Sequence, residues 1–205
     1  MGRATARAPI ELPAALNAPL FRMQVDELET SACRVVLDLG AASTPMLDLL
    51  GRSRCRVEIA DLAGFGGIER LSIEAPAGAL AAIAASLLPS HNPDRDIDLV
   101  FCWDLLNYLK PPAISALMST IAARARPGTR VHALIVYSER SMPDRPGRYV
   151  PDKDLKLVNR AVPASEIAAP RYSPELLGRT MGLYAIEHAR LLANGMQEFL
   201  FRLKR

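Results

Sequence analysis

Short apolar runs alternate with stretches of helical spacing along most of the chain. "RVVLDLG" (34–40) is apolar at successive positions and stops at a glycine, which predicts a short strand buried on both faces. "TPMLDLLG" then predicts a helix, with Ser43 or Thr44 as cap, Pro45 at its first position and Gly51 to end it. "CRVEIADL" (55–62) reads as a second strand closing on an acid, Asp61. A helix follows at "GALAAIAASLL" (78–88), a buried strand at "IDLVFCW" (97–103), a proline-opened helix at "PPAISALMSTIAARA" (111–125) and a further strand at "TRVHALIVYS" (129–138). "SPELLGRTMG" is a helix capped by Ser173, and the end of the chain reads as two strands joined at Asn194-Gly195, a strong hairpin signal. Strands alternating with helices imply an α/β protein, its mostly parallel sheet covered on both faces.

Two segments resist this pattern. Residues 1–30 read as a loose Ala- and Pro-rich arm with a lead-in helix at "LFRMQVDELET". Residues 139–172 are long, charged and rich in proline, with six basic and four acidic side chains between Glu139 and Arg160. A stretch of that length without periodicity is either a solvated surface loop or a functional lid.

The bulk properties narrow the classes. A chain of 205 residues, half of them hydrophobic, is enough for one sizeable domain, here 31–205. No apolar run is long enough for a membrane span, and "MGRATARAPIELPAAL" lacks an apolar signal core, so a cytoplasmic protein is expected. A net charge of +3 does not favour a nucleic-acid ligand. Cys33, Cys55 and Cys102 form no CxxC pair, and the three histidines are scattered, so no metal site is expected.

Taken in order, "VVLDLGAAS", "VEIAD", "DIDLVFCWDLLNYLKP", "RPGTRVHALIV" and "YSPELLGRTMGLYAIEHARL" resemble the landmarks of class I S-adenosylmethionine-dependent methyltransferases. The resemblance covers roughly residues 30–205. It implies a doubly wound, mostly parallel, seven-stranded Rossmann-like sheet ending in an antiparallel hairpin. It also implies S-adenosylmethionine as cofactor and a small-molecule or protein acceptor. Asp38, Gly40, Ala41 and Ser43 match the loop under the methionine end of that cofactor. Asp61 and Leu62 match the ribose site, and Trp103 and Asp104 would flank the methionine portion. Asn107 and Tyr108 would face substrate, with Asp104 and Tyr108 as candidate bases. Arg145, Arg148 and Tyr149 would be lid contacts to substrate.

Each assignment has a plainer alternative. Gly40 also suits an ordinary strand-to-helix turn. Asp61 also suits a solvated acid or a cap, and Trp103 with its leucine neighbours also suits the core. The family pattern carries further glycines where this chain has Ala41, Ala42 and Ser43, and its third-strand acid has no counterpart here beyond Glu74 in "SIEAPAG". Those departures keep open a methyltransferase-like pseudoenzyme serving as a binding or partner module. A homodimer or a partner protein stays open as well. A nicotinamide-dependent Rossmann enzyme is a weaker rival, because G-x-G-x-x-G is absent.

Overall fold

The computed structural model describes residues 15–30, 34–161 and 165–204. In chain order the elements are α1 (Pro19–Glu29), β1 (Val35–Asp38), α2 (Thr44–Arg52), β2 (Arg56–Ile59), α3 (Gly67–Leu71), α4 (Ala77–Leu87) and β3 (Ile97–Trp103). A 3-10 turn (Leu105–Tyr108), α5 (Pro111–Ala122) and β4 (Ala125–Val136) follow. Then come β5 (Ser141–Pro143), β6 (Tyr149–Pro151), β7 (Leu157–Asn159), β8 (Glu166–Ala168), α6 (Pro174–Thr180), β9 (Tyr184–Leu191) and β10 (Met196–Leu203).

The continuous apolar runs became the middle of the sheet, where both faces are covered. Every residue of β1 and β3 is buried. The main sheet has the order β2-β1-β3-β4-β10-β9. β2, β1, β3 and β4 run parallel, and β10 lies antiparallel between β4 and β9. One core cluster packs α3 to α6 on one face, and a second packs α1, α2 and the segment after β4 on the other. Asn194-Gly195 makes the β9–β10 turn, with Gly195 at φ +78°, as the dipeptide predicted.

The sheet has six strands, not the expected seven. No strand forms between α3 and α4. That link, residues 72–76, carries Ser72, Glu74 and the helix-opening Pro76, and its Ile73 is exposed. Such a segment offers no alternating apolar face to bury. β2 is therefore the sheet edge, with no fully buried residue, and Glu74 reaches only the exposed Lys110, at 3.7 Å.

Residues 139–172 also differ from the expected loop. β5 pairs with β8 and β6 with β7, both antiparallel, so the segment is a pair of nested hairpins. Strands three residues long are too short for periodicity to reveal them. The lead-in residue Leu16 exchanges two backbone hydrogen bonds with Leu157 of β7, at 2.8 and 2.9 Å. The segment leading into α1 is thus stitched to β7 at Leu16.

α1 is held by a buried acid. Its cap, Ala18, has no side-chain acceptor, and a helix start leaves several N–H groups free. Glu198 of β10 reaches across: Oε2 accepts from Leu20 N–H at 2.9 Å and Oε1 from Phe21 N–H at 2.7 Å. His132 Nε2 lies 2.9 Å from the same Oε1, and both side chains are fully buried. Replacing Glu198 with alanine would orphan two buried donors. We expect Glu198→Ala to lower the free energy of unfolding by about 3 kcal/mol in urea titration. A loss under ~1 kcal/mol would show that water takes over these contacts.

Candidate functional site

β1, β2 and β3 all end on the same side of the sheet, and the chain reverses its direction of strand addition at β1. Ligands of open parallel sheets bind at that position. Asp38 stands at the end of β1, with its side chain buried. Its Oδ1 accepts from two donors, Gly40 N–H at 2.9 Å and Trp103 Nε1–H at 2.6 Å. Burial pushes the Asp38 carboxyl up from its ordinary 3.8 to about 6, with those two hydrogen bonds acting in the opposite sense.

Trp103 closes β3 in a left-handed conformation, φ +52°. That geometry is unusual for a bulky residue. It lays the indole over Gly40. A Cβ on Gly40 would lie 2.7 Å from Trp103 Cδ1 and 2.8 Å from Nε1. The missing side chain at position 40 thus makes room for a tryptophan. The indole also stacks on Phe101 and Tyr149, at centroid distances of 5.3 and 6.0 Å, and touches Phe21 at 5.8 Å. Trp103 thus packs in the core while its ring also borders the cleft described below.

Asp61, just past β2, is also left-handed, φ +38°. Its Oδ1 accepts from Gly64 N–H at 2.9 Å, which steadies the turn while the residue stays partly exposed. Strained backbone at two strand ends on the same side of the sheet is a feature of functional sites.

Between these strand ends and the nested hairpins lies a cleft of about 770 Å³. Gly40, Ala41, Asp61, Glu69, Trp103, Asp104 and Tyr108 line its sheet side, and Arg145, Gly147, Arg148 and Arg160 line the hairpin side. A neighbouring compartment of about 410 Å³ is bounded by Ala41, Ala42, Ser43, Trp103, Arg148, Tyr149 and Arg160. Both fall near the usual size of small-molecule sites, roughly 300–1,000 Å³.

Asp104 is buried, and both its oxygens lie within hydrogen-bond distance of Gly147 N–H, at 3.0 and 2.9 Å. Tyr149 O–H approaches it at 3.5 Å. Burial raises its carboxyl from 3.8 to about 6, against the Gly147 bond. Tyr108 O–H points to the carbonyls of Pro143, at 3.1 Å, and Arg145, at 2.7 Å. Burial, with Asp104 and Asp144 nearby, pushes that phenol well above its ordinary value.

Two of the expected residues have their side chains away from the cleft. Asn107 does not reach the cleft: Nδ2 donates to the carbonyls of Asp104 and Leu134, at 2.8 and 2.9 Å, and Oδ1 accepts from Val136 N–H at 2.9 Å. It fastens the turn after β3 to β4. Leu62 is fully buried in the core beside α3 and α4. Ser43 borders the smaller compartment while its hydroxyl caps α2 by accepting from Met46 N–H at 3.4 Å. Sequence reasoning missed Arg160 and Glu69. Arg160 had a faint signal, since "YVP" and "LVN" flank the turn-forming "DKD" and set Arg148 opposite Arg160.

No family model matches the sequence, and no curated protein does either. Solved structures do match. An S-adenosylmethionine-dependent methyltransferase from Clostridium acetobutylicum ATCC 824 superposes with a TM-score of 0.50 at 12% identity, over 90% of this chain and 90% of that one. N-methyltransferase NodS from Bradyrhizobium japonicum WM9, solved with S-adenosyl-L-homocysteine, gives 0.50 at 12% identity, over 91% of this chain and 87% of that one. The chain has the fold of class I S-adenosylmethionine-dependent methyltransferases. Within it, the residues described above are this chain's own.

Two measurements test this geometry. Gly40→Ala should cost about 1–3 kcal/mol through the clash with the indole, and far less in a Trp103→Ala background; equal costs in both would remove the indole as the cause. The second concerns pH. An acid whose folded value exceeds its unfolded one adds stability below the unfolded value and loses it as pH rises through the folded value. Asp38 and Asp104 each move from 3.8 to about 6. Each therefore destabilises the fold by about 3 kcal/mol once pH passes from ~4 to ~6.5. Asp38→Asn keeps the acceptor and should flatten that decline relative to the native chain; an unchanged slope would refute the assignment.

Proposed function

We propose that the protein is an S-adenosylmethionine-dependent methyltransferase that takes a small-molecule acceptor under the nested hairpins. The observation that carries this reading is Asp61. It is a partly exposed carboxylate on strained backbone at the end of β2, facing a cleft at the switch in strand order. A carboxylate there can accept from both hydroxyls of a ribose diol. NodS, of the same fold, was solved with S-adenosyl-L-homocysteine.

The residues fit such a cofactor unevenly. Asp61 would hold the diol. The space over Gly40 is taken by the indole of Trp103, so the methionine end would rest on Ala41, Ala42 and Ser43 in the smaller compartment. The cofactor supplies an already activated methyl group, which leaves alignment and exclusion of water to the protein. The hairpins roof the cleft and are tied down at Asp104 and Tyr108. Asp104 lines the cleft with a carboxyl near 6, a range suited to taking a proton from an acceptor at neutral pH. Tyr108 keeps its proton and donates it to backbone carbonyls, so its role is to position the roof.

The second reading is a binding module without turnover. It draws on the same tryptophan, which denies Gly40 to any ligand as long as the indole stays hydrogen-bonded to Asp38. Calorimetry with S-adenosylhomocysteine and S-adenosylmethionine tests the first reading. We expect binding, weakened about tenfold by Asp61→Asn, a change that keeps an acceptor for Gly64. Absence of binding to the native chain would overturn the proposal. Binding with no methyl transfer to any small molecule of a cell extract would favour the second reading.

A further inference from the structure

We infer that the acceptor carries an oxyanion, a carboxylate or a phosphate, and that Arg148 and Arg160 bind it. This names a substrate class for the cleft and rests on the methyl-transfer reading. The register of the inner hairpin sets where the two arginines stand. β6 and β7 pair Tyr149 with Asn159, Val150 with Val158 and Pro151 with Leu157. One step beyond, Arg160 N–H donates to Arg148 C=O at 2.8 Å, and Arg148 N–H donates to Asn159 Oδ1 at 3.0 Å. The two arginines are therefore directly opposite each other at the open end of the hairpin.

Like charges in that arrangement repel and weaken a strand pair. Arg145 has Asp144 as partner at 3.6 Å. Among the described residues, Arg148 and Arg160 pair with no acid. Both line the cleft and its smaller compartment. Two guanidiniums on one face match the geometry of a bidentate oxyanion, whose binding would turn the repulsion into attraction.

The platform is firm as well as charged. Gly147, next to Arg148, donates to the buried Asp104, and a Cβ on it would collide with the Tyr149 ring. The backbone that presents Arg148 is thus set by the sheet. The charge is also unevenly divided: Asp61, Glu69 and Asp104 stand on the sheet side of the cleft, and the inserted side carries Arg145, Arg148 and Arg160 against one acid, Asp144. A diol belongs at the first wall and an anion at the second. The arginines border the smaller compartment given to the methionine end as well as the large cleft. The anion is assigned to the acceptor for their place on the inserted wall of the large cleft, and the 5′-methylthioadenosine comparison below separates it from the cofactor's own carboxylate.

The test uses the full chain, in chloride buffers of matched ionic strength. Inorganic phosphate or malonate should raise the melting temperature of the native protein by about 2–4 °C at tenfold excess over its dissociation constant. Arg148→Gln/Arg160→Gln should lose that rise, while its affinity for S-adenosylhomocysteine stays within twofold. Arg179→Gln, on α6 outside the cleft, should keep the rise. Circular dichroism checks folding, and the single variant Arg148→Gln should show an intermediate response if the double variant folds poorly. An equal rise in the double variant would overturn the inference, as a general salt effect. It would also be overturned if the double variant bound S-adenosylhomocysteine at least tenfold more weakly yet held 5′-methylthioadenosine, which lacks the carboxylate, unchanged. An arginine-dependent rise in a protein that binds no S-adenosylhomocysteine would keep the anion site and remove the methyl-transfer reading instead.

Discussion

The indole N–H of Trp103 donates to Asp38 at 2.6 Å, and the arrangement of the site depends on that bond. It joins the ends of β1 and β3. It fixes the indole over Gly40, which only a residue without a side chain permits. Through its ring, the same tryptophan meets Phe21 of α1, Phe101 of β3 and Tyr149 of the inserted hairpin. Three parts of the chain distant in sequence thus converge on one aromatic ring. The left-handed backbone at Trp103 is the local strain accepted for this convergence.

The second organising group is Glu198. It ties α1 to the middle of the sheet through two helix N–H groups and lies against His132. Arg130 continues the same seam at the far end of α1, bridging Glu27 of the helix and Glu187 of β9. Buried polar groups of this kind stabilise only when their partners are all present, so α1 docks in one register. That register sets Phe21 against Trp103 and carries Leu16 to its bridge with Leu157. The residues before β1, which read in sequence as a loose arm and a lead-in helix, are in the described part a wall of the fold that reaches the roof of the cleft.

The fold was legible in the sequence wherever burial on both faces forced a continuous apolar run. β1, β3 and β4 needed nothing more, and Ser43, Ser173 and Asn194-Gly195 marked their own caps and turn. Legibility failed where contacts are made across long sequence distances or by very short elements. The four strands of 139–172 span three residues each, below the length at which alternation is visible. The missing seventh strand was foreshadowed only by the poor match at "SIEAPAG". Within the site, Gly40 and Asp61 stand where the resemblance put them, at the cleft. The partner of Gly40 was not legible, because nothing in "VVLDLG" announces a tryptophan 63 residues later. Asn107 misled for a related reason. An amide beside an aromatic resembles a substrate contact, whereas all its hydrogen bonds go to backbone that happens to lie nearby in space.

The bare edge at β2 and the nested hairpins lie on opposite sides of the same cleft. With no strand beyond β2, the Asp61 side is bordered only by the turn to α3 and stays open to solvent. The other side is covered by hairpins that are anchored at their interior, at Gly147 and Tyr149, and carry their charged residues at the rim. On the proposed reading, a ligand would meet a slot that these hairpins already half close. Rigid roofing lowers the entropic cost of ordering a bound molecule and restricts what can enter. The tryptophan narrows the slot further, from within. On the proposed reading, selectivity for a ligand would come from the inserted hairpins and from one aromatic side chain, and not from the fold of the sheet.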